Sequence, residues 1–504
     1  MARVTDRRLL LGALLLAAAW TALGLHVERG GTVLGTGTPP FVLGWSPGVN
    51  PWIVGAVAAA GALVAAAPAL LRGPRWVYLS ATTGFAVALA LTIGAARIGA
   101  HGWSAIFDDS FEAKNEYLPG LPALSYGRGF FLDHFAELVP AVPVDVAGHP
   151  PGLMLVLDAT GVTTAGRLAA LCIGAAVAIP ALTYALALGL AGEARPAPVR
   201  AGEGSVQRWA ARRAGARAGQ ARVAAPGGSM GDAAGLGPLS VRVVQDTDEV
   251  LEATRPAPVP VAAPGSSRTA DPEATARIAG LLAAASPGVL LFGVTSADAV
   301  YAALGTAAAA LLVRRSWAAR SAGAGVLGLG ALCSWALPAM GAFAALVAWR
   351  RSGWRDALAL AVLSAVPFLA LNAVLAGAYG YDPIGTLRAT EAVYRRSLAG
   401  GRPYWFWSVG SPVAWAVSAG LPVAGAWLIA VRRRDVAALA LAAVVLVASV
   451  AGFTKGETER IWLMFVPLAC VAAATVVGPR AVRPVLLALV LQALVVQVLF
   501  ETVW

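Results

Sequence analysis

Long apolar stretches alternate with short polar segments along most of the chain. Each is about 20 residues long, the length that a helix needs to cross a hydrocarbon core of about 30 Å. Backbone polar groups inside a bilayer need internal partners, so such runs predict helices; the alternating strands of a membrane barrel are absent. Two short helices are expected on either side of Pro338, because basic clusters flank both ends of 322–349. The other runs lie at 9–25, 51–71, 76–96, 164–190, 277–294, 297–313, 356–378, 412–431, 436–452, 461–477 and 483–500.

The pattern predicts an all-α, polytopic membrane helix bundle with about thirteen spans. Two segments interrupt it. Segment 99–151 is the longest polar stretch on the predicted non-cytoplasmic side. Segment 191–273 is rich in Pro, Gly, Ala and Arg and shows no sustained periodicity, so we expect a disordered cytoplasmic loop. The sequence thus predicts an N-terminal membrane part (1–190), this loop (191–273) and a C-terminal membrane part (274–504).

The composition agrees with a membrane protein. The mean hydropathy is +0.71, and 13% of the residues are charged, against about 25% in soluble domains. The net charge of +11 does not indicate nucleic-acid binding, because most arginines form short clusters between apolar runs, where they act as orientation signals. The three cysteines lie within apolar runs and form no disulfide or metal pattern.

The basic clusters predict the orientation of the chain. Arg3, Arg7 and Arg8 precede the first run, which places the N-terminus in the cytoplasm. That run is long and is not followed by a clear A-x-A site, so we expect an uncleaved anchor rather than a cleaved signal peptide. With thirteen spans, the C-terminus and segment 99–151 lie outside. The sequence therefore predicts a multi-pass protein of the cell membrane with its candidate site on the extracellular face.

The long outer loop carries the candidate acids and bases. It contains Asp108 and Asp109 beside aromatic residues, then Glu116, and it closes with His149 before two prolines. A carboxylate packed beside aromatics at the mouth of a bundle is well placed to act as a general base with a raised pKa. Taken singly, each carboxylate is also explained by a solvated loop, and His149 either acts as a base or ligand or only aims the following helix.

Two further outer loops carry cations. Segment 380–412 mixes four arginines, among them Arg396 and Arg402, with tyrosine, phenylalanine and tryptophan, and segment 454–462 contains Lys455 and Arg460. Arginines outside run against the positive-inside bias, and the guanidinium fork binds phosphate oxygens well. A headgroup belt also explains the first loop, and mutual ion pairing explains the second. Together, the carboxylates and cations predict one joint site for an anionic lipid-linked substrate.

This layout resembles the GT-C superfamily of polyprenyl-phosphate-sugar-dependent membrane glycosyltransferases. That superfamily includes protein O-mannosyltransferases, aminoarabinose transferases and actinobacterial mannosyl- and arabinosyltransferases. The resemblance runs from about 99 to 467 without the loop at 191–273. It rests on the order of five features: Asp108-Asp109 with Asn115-Glu116-Tyr117, His149-Pro150-Pro151, Arg167 early in a helix, Ser286-Pro287 with Asp298, and Glu459-Arg460-Ile461-Trp462 before Pro467.

The resemblance implies a transferase that moves a sugar from a polyprenyl-phosphate donor to a lipid, glycan or protein acceptor. Asp108 or Asp109 would be the base, with Glu116 as the competing choice. Arg402 and Arg460 would bind the donor phosphate, with Lys455 assisting. No cofactor is evident, and a divalent metal is compatible with the chemistry but not indicated by any ligand pattern. Besides the donor and acceptor, we expect contacts with membrane lipids.

The main alternative is a secondary transporter or flippase of a lipid-linked or anionic substrate. Such a protein is expected to show internal repeats and charges near the bilayer midplane. The sequence shows no clear repeat, and its charges lie at the outer edge.

Overall fold

Helices make up nearly all of the regular structure in a computed structural model of the chain. The structure describes residues 2–98, 102–108, 113–192, 271–452 and 454–502, which belong to one compact unit. The predicted loop at 191–273 falls almost entirely outside the described residues. The helices of the first part are α1 Ala2–Arg29, α2 Trp52–Arg72, α3 Arg75–Ile98, α4 Gly102–Ala105, α5 Arg128–Asp133, α6 Phe135–Leu138, α7 Val144–Ala147, α8 Gly152–Thr160 and α9 Ala165–Gly192.

The second part is also helical. Its helices are α10 Pro272–Ala285, α11 Pro287–Leu291, α12 Asp298–Leu312, α13 Trp317–Ala331, α14 Pro338–Ser352, α15 Trp354–Tyr379, α16 Pro383–Arg396, α17 Leu398–Gly401, α18 Tyr404–Ala419, α19 Leu421–Arg432, α20 Val436–Ala451, α21 Thr458–Ile461, α22 Val466–Ala474 and α23 Val482–Leu499. Short 3-10 turns lie at Ala113–Asn115, Leu118–Tyr126, Val139–Ala141 and Leu463–Phe465. A two-residue strand β1, Gly44–Trp45, pairs antiparallel with β2, Phe500–Glu501.

The predicted helical membrane fold is confirmed at the level of length and composition. Among the described residues, six helices are long and apolar enough to cross a membrane, or seven if one bent pair counts as a single span. They are α1 (from Arg8), α2, α3 (to Ala96), α9 (to Ala191), α15 and α23. Several of the remaining apolar runs form shorter helices, so the number of about thirteen spans stays a prediction.

Proline and glycine break two of the predicted runs. The run at 277–294 divides at Ser286, because Pro287 has no backbone N–H to continue the ladder of α10. The run at 412–431 divides at Gly420, whose φ of 108° lies in the left-handed region, and α18 and α19 meet there at 114°. The predicted pair of short helices around Pro338 is confirmed as α13 and α14.

Contacts between arginines and helix ends define one end of the bundle, here called the basic end. Arg277 of α10 donates to Leu70 O and Gly73 O, at the end of α2. Arg351 of α14 donates to Leu190 O, near the end of α9. The basic end also carries a bidentate pair between Arg320 and Asp356. The arginine clusters that the sequence places between apolar runs therefore lie at helix ends.

The opposite end, here called the site end, carries the long loop. The side chain of Asn50, which precedes α2, donates to Ala95 O near the end of α3. Segments 102–108 and 113–160 contain short helices and 3-10 turns over this end. Its closing glycine, Gly152, donates its N–H to Leu332 O at 2.7 Å, and a Cβ at this position would overlap that carbonyl. The loop is therefore held closely against the junction of α13 and α14.

Candidate functional site

Arg460 lies at the centre of a cluster of carboxylates at the site end. It belongs to α21, which follows two residues in the left-handed region, Gly456 (φ 89°) and Glu457 (φ 59°). Its guanidinium lies 3.6 Å from Asp145, 3.6 Å from Asp298 and 3.3 Å from Glu457. These acids come from α7, from the start of α12 and from the turn before α21, so three separate parts of the chain meet at one cation.

Glu116 adds a fourth carboxylate to this cluster. Its side chain is only 2% exposed, and its Oε2 has no hydrogen-bond partner among the described residues. Burial raises its pKa well above the usual value; nearby Asp145 adds to the rise, and Arg460 opposes it. Glu116 is thus a buried carboxyl group that holds its proton more tightly than an ordinary glutamate.

The cluster contains more acidic than basic groups. Burial raises the pKa of Asp145, although Arg460 opposes the rise. Burial also acts to raise the pKa of Glu457, but Arg460 and Arg402 together outweigh it and lower that pKa. The pKa of Arg460 rises despite burial, because Asp145, Asp298 and Glu457 stabilise its charge. Arg460 therefore stays charged, while burial favours the protonated form of Glu116 and Asp145.

Two tyrosines connect His149 to the cluster. The hydroxyls of Tyr117 and Tyr301 lie 2.5 Å apart, and Tyr117 Oη lies 3.1 Å from His149 Nδ1. The same Nδ1 lies 2.7 Å from Asp145 O. Since a carbonyl oxygen only accepts, Nδ1 carries the proton in the neutral ring and Nε2 is its basic nitrogen. His149 is thus fixed in one tautomer beside Asp145, whose carboxylate contacts Arg460.

Arg402 and Lys455 form a second cationic group next to the cluster. Arg402 donates to Lys455 O, to Gly35 O and, at 3.2 Å, to Glu457 Oε1. Lys455 donates from Nζ to Gly400 O and Arg402 O. Because Glu457 also contacts Arg460, it bridges the two guanidinium groups. Much of the hydrogen-bonding capacity of Arg402 and Lys455 is used within the protein, in contrast to the open phosphate ligands that the sequence predicts.

The structure does not join Asp108 or Arg396 to the cluster. Asp108 is exposed, and no hydrogen bond or ion pair joins it to the described residues around Arg460. Asp109 lies outside the described residues. Arg396 is exposed at the end of α16, where its Nε donates to Ala392 O. The structure therefore brings together Glu116, His149 and Arg460, with Arg402 and Lys455 adjacent.

Sequence reasoning missed Asp145 and gave no separate role to Asp298 and Glu457. Asp145 lies four residues before His149, a spacing that puts both on one face of a helical turn. That spacing is the signal in the sequence that could have found it. Within the described residues, no group of three or more His, Cys, Asp or Glu side chains is arranged to hold a metal ion.

Glu459, the neighbour of Arg460, is a separate buried acid. Its Oε1 accepts from Val42 N at 2.9 Å, and its Oε2 has no hydrogen-bond partner among the described residues. Burial raises its pKa to about 7, although the N–H of Val42 and its own N–H oppose the rise. A folded pKa above the unfolded value means that the folded state binds the proton more tightly, so this group's contribution to stability falls as pH rises from 4.5 towards 7.

Glu459→Gln is therefore expected to flatten the pH dependence of thermal stability. The wild-type melting temperature should fall between pH 5 and pH 7.5 by more than that of the variant, because glutamine carries no proton to lose. The measurement is thermal unfolding of the purified protein in detergent across this range. Glu137→Gln, at an exposed position, is the matched control and should follow the wild type. Parallel curves for wild type and Glu459→Gln would contradict the assignment.

Comparisons of the chain with family models, with curated proteins and with solved structures gave no match.

Proposed function

We propose that the protein is a membrane glycosyltransferase that uses a polyprenyl-phosphate-linked sugar as donor and has its active site around Glu116 and Arg460. The observation that carries the proposal is a pair of buried atoms in one cluster that make no hydrogen bond within the described part of the chain, although Arg460 Nε lies 3.6 Å from Asp298. Among the described residues, Glu116 Oε2 lacks a donor and Arg460 Nε lacks a hydrogen-bond acceptor. Each such group costs about 1–3 kcal/mol when it stays unpaired. A hydroxyl and a phosphate oxygen are the groups that satisfy them.

The chemistry of glycosyl transfer uses one basic and one cationic group. Glu116 accepts the proton of the acceptor hydroxyl while that oxygen forms a bond to the anomeric carbon. The bond between the anomeric carbon and the phosphate oxygen breaks, and the electron pair stays on the phosphate. Arg460 stabilises that charge. Arg402, which Glu457 links to Arg460, adds to the positive electrostatic potential at the phosphate. A raised pKa makes Glu116 a stronger base than an ordinary carboxylate.

The proposal includes a topology and an orientation. The shorter apolar helices, including α12, α20 and α22, complete about thirteen passages between the basic end and the site end. The positive-inside bias assigns the basic end to the cytoplasm. The site end then lies on the extracellular side of the membrane. Sugar nucleotides stay in the cytosol, so a site on this face requires a lipid carrier for the sugar.

The direct test is donor turnover by the purified full-length protein. We expect the protein in detergent micelles to release polyprenyl phosphate from a polyprenyl-phosphate-sugar donor, by transfer or slow hydrolysis, and protein-free micelles to release none. Because the sugar is not specified, mannose, arabinose and glucose donors are compared. Intact donors after prolonged incubation with folded protein would overturn the proposal.

A proton-coupled transporter is the second candidate, and the acidic cluster favours it. Buried carboxylates with raised pKa values beside an arginine also form proton relays in membrane proteins. Protein reconstituted in liposomes distinguishes the two. A transporter acidifies the lumen when an anionic lipid-linked substrate is added and leaves that substrate intact, whereas a transferase consumes the donor without moving protons.

A further inference from the structure

A groove along the outside of α15 lies at the basic end, far from the Arg460 cluster. It is an open groove of about 690 Å³ between Trp317 of α13 and the first half of α15, and it is lined by Trp317, Trp354, Arg355, Leu358, Val362 and Val366, among others. The lining is apolar apart from the guanidinium at its mouth.

Beyond the last residue that lines the groove, α13 and α15 are in close contact. Gly328 of α13 packs against α15 beside the last lining residue: a Cβ at position 328 would lie 2.8 Å from Pro367 Cβ and 2.9 Å from Phe368 N. From Arg355 to Val366 the helix rises about 16 Å. That distance is about half of a hydrocarbon core of about 30 Å. The groove therefore has the depth of one membrane leaflet.

The mouth of the groove carries positive charge. Arg355 is exposed, its guanidinium lies 5.5 Å from the ring centroid of Trp354, and no hydrogen bond or ion pair to the described residues occupies it. The neighbouring acid, Asp356, is bound by Arg320 through both of its carboxylate oxygens. The negative charge nearest to Arg355 is thus already neutralised. Trp317 and Trp354 are 57% and 62% exposed, as expected of tryptophans in the headgroup region.

We propose that this groove binds one anionic glycerophospholipid of the leaflet at the basic end. One acyl chain lies along Leu358, Val362 and Val366, and the phosphate contacts Arg355 at the mouth. The acyl chain of a zwitterionic lipid fits the same apolar groove, but the ammonium group of that lipid offsets the negative phosphate charge that attracts Arg355. The site is independent of the proposed transferase chemistry, because it uses none of the residues at the site end. Its occupant would hold together the ends of α13 and α15.

The test is lipid binding to the full-length protein, measured by native mass spectrometry with dioleoylphosphatidylglycerol and dioleoylphosphatidylcholine as probes. We expect phosphatidylglycerol to bind about five-fold more tightly, the effect of one arginine near a lipid phosphate. Arg355→Gln should remove this preference. Val362→Trp, at an exposed position where the larger ring fills the groove without entering the core, should weaken the binding of both lipids.

Arg350→Gln is the matched control, because Arg350 is an exposed arginine at the same end that does not line the groove. It should keep the full preference for phosphatidylglycerol. Equal binding of the two lipids by the wild type would overturn the proposal. Equal losses in Arg355→Gln and Arg350→Gln would also overturn it, since they would show diffuse attraction to the basic end instead of a site.

Discussion

Glu116→Gln is expected to lower the rate of donor turnover by a factor of about 10²–10⁴, the contribution of a positioned general base. Glutamine keeps the size and the acceptor oxygen of the side chain but cannot take a proton from the acceptor hydroxyl. The burial that raises the pKa of Glu116 also makes the wild-type rate rise with pH, since only the ionised carboxylate acts as base. Initial rates with a polyprenyl-phosphate-sugar donor between pH 5.5 and pH 8.5 measure both effects.

Asp108→Asn is the matched control for this prediction. Asp108 belongs to the same loop and was, with Asp109, the first choice of base from the sequence, but it is exposed. Its substitution should leave the rate within about two-fold of the wild type, in line with the small effects of most exposed substitutions. The opposite result, a large loss in Asp108→Asn with full activity in Glu116→Gln, would move the base out of the buried cluster. Full activity in both variants would show that neither of these carboxylates acts as the base, and the proposed acid–base step would then be wrong.

The sequence predicts the helices well because their signal is local. Continuous apolar length is enough to identify α2, α3, α9, α15 and α23, since a run of about 20 residues has few other stable structures in lipid. It predicts the breaks less well. The proline in Ser286-Pro287 and the glycine at position 420 divide two runs that hydropathy alone reads as continuous. Whether such breaks make re-entrant helices depends on packing that no local pattern encodes.

The candidate site was only partly predictable, because it depends on contacts between distant segments. The sequence selects Glu116, His149 and Arg460 as residues of interest, but it does not rank Glu116 above Asp108. In the structure Glu116 is buried and Asp108 is exposed. This difference depends on how the loop folds over the bundle. Asp145 was missed because its one sequence signal, the four-residue spacing to His149, does not show that α7 places it 3.6 Å from Arg460.

The same long-range contacts give the predicted phosphate ligands a structural role as well. Sequence position predicts that Arg402 and Lys455 lie at the outer edge, where a free cation binds phosphate. It did not show that their N–H groups reach the backbone carbonyls of Gly35 and Gly400. These contacts fix the loop that carries Arg460. A structural role for Arg402 and Lys455 therefore accompanies any role in binding. Among the described residues, Arg402 Nε and Arg460 Nε are both buried and make no hydrogen bond.

Arg460→Met is expected to lower the free energy of unfolding by about 3–5 kcal/mol, the usual cost of removing one partner from a buried ion pair. Methionine fills part of the volume but leaves Asp145 and Asp298 without the guanidinium beside them, and Glu457 with Arg402 alone. The folded pKa of Asp145, already raised by burial, then rises further, and the pKa of Glu457 loses the cation that lowers it most. Stability therefore falls as pH rises. The loss should therefore be larger at pH 8 than at pH 5.5. Unfolding by SDS in mixed micelles measures it at both pH values.

A charge-matched second variant separates electrostatics from packing. Asp298→Asn added to Arg460→Met removes one of the uncompensated charges and should recover part of the loss at pH 8, whereas a packing defect would not respond. Arg167→Met is the control, because Arg167 is an exposed arginine that donates to Gly161 O; it should cost less than about 1 kcal/mol. A loss in Arg460→Met that is independent of pH and insensitive to Asp298→Asn would show that Arg460 contributes by packing, and the electrostatic account of the cluster would then be wrong.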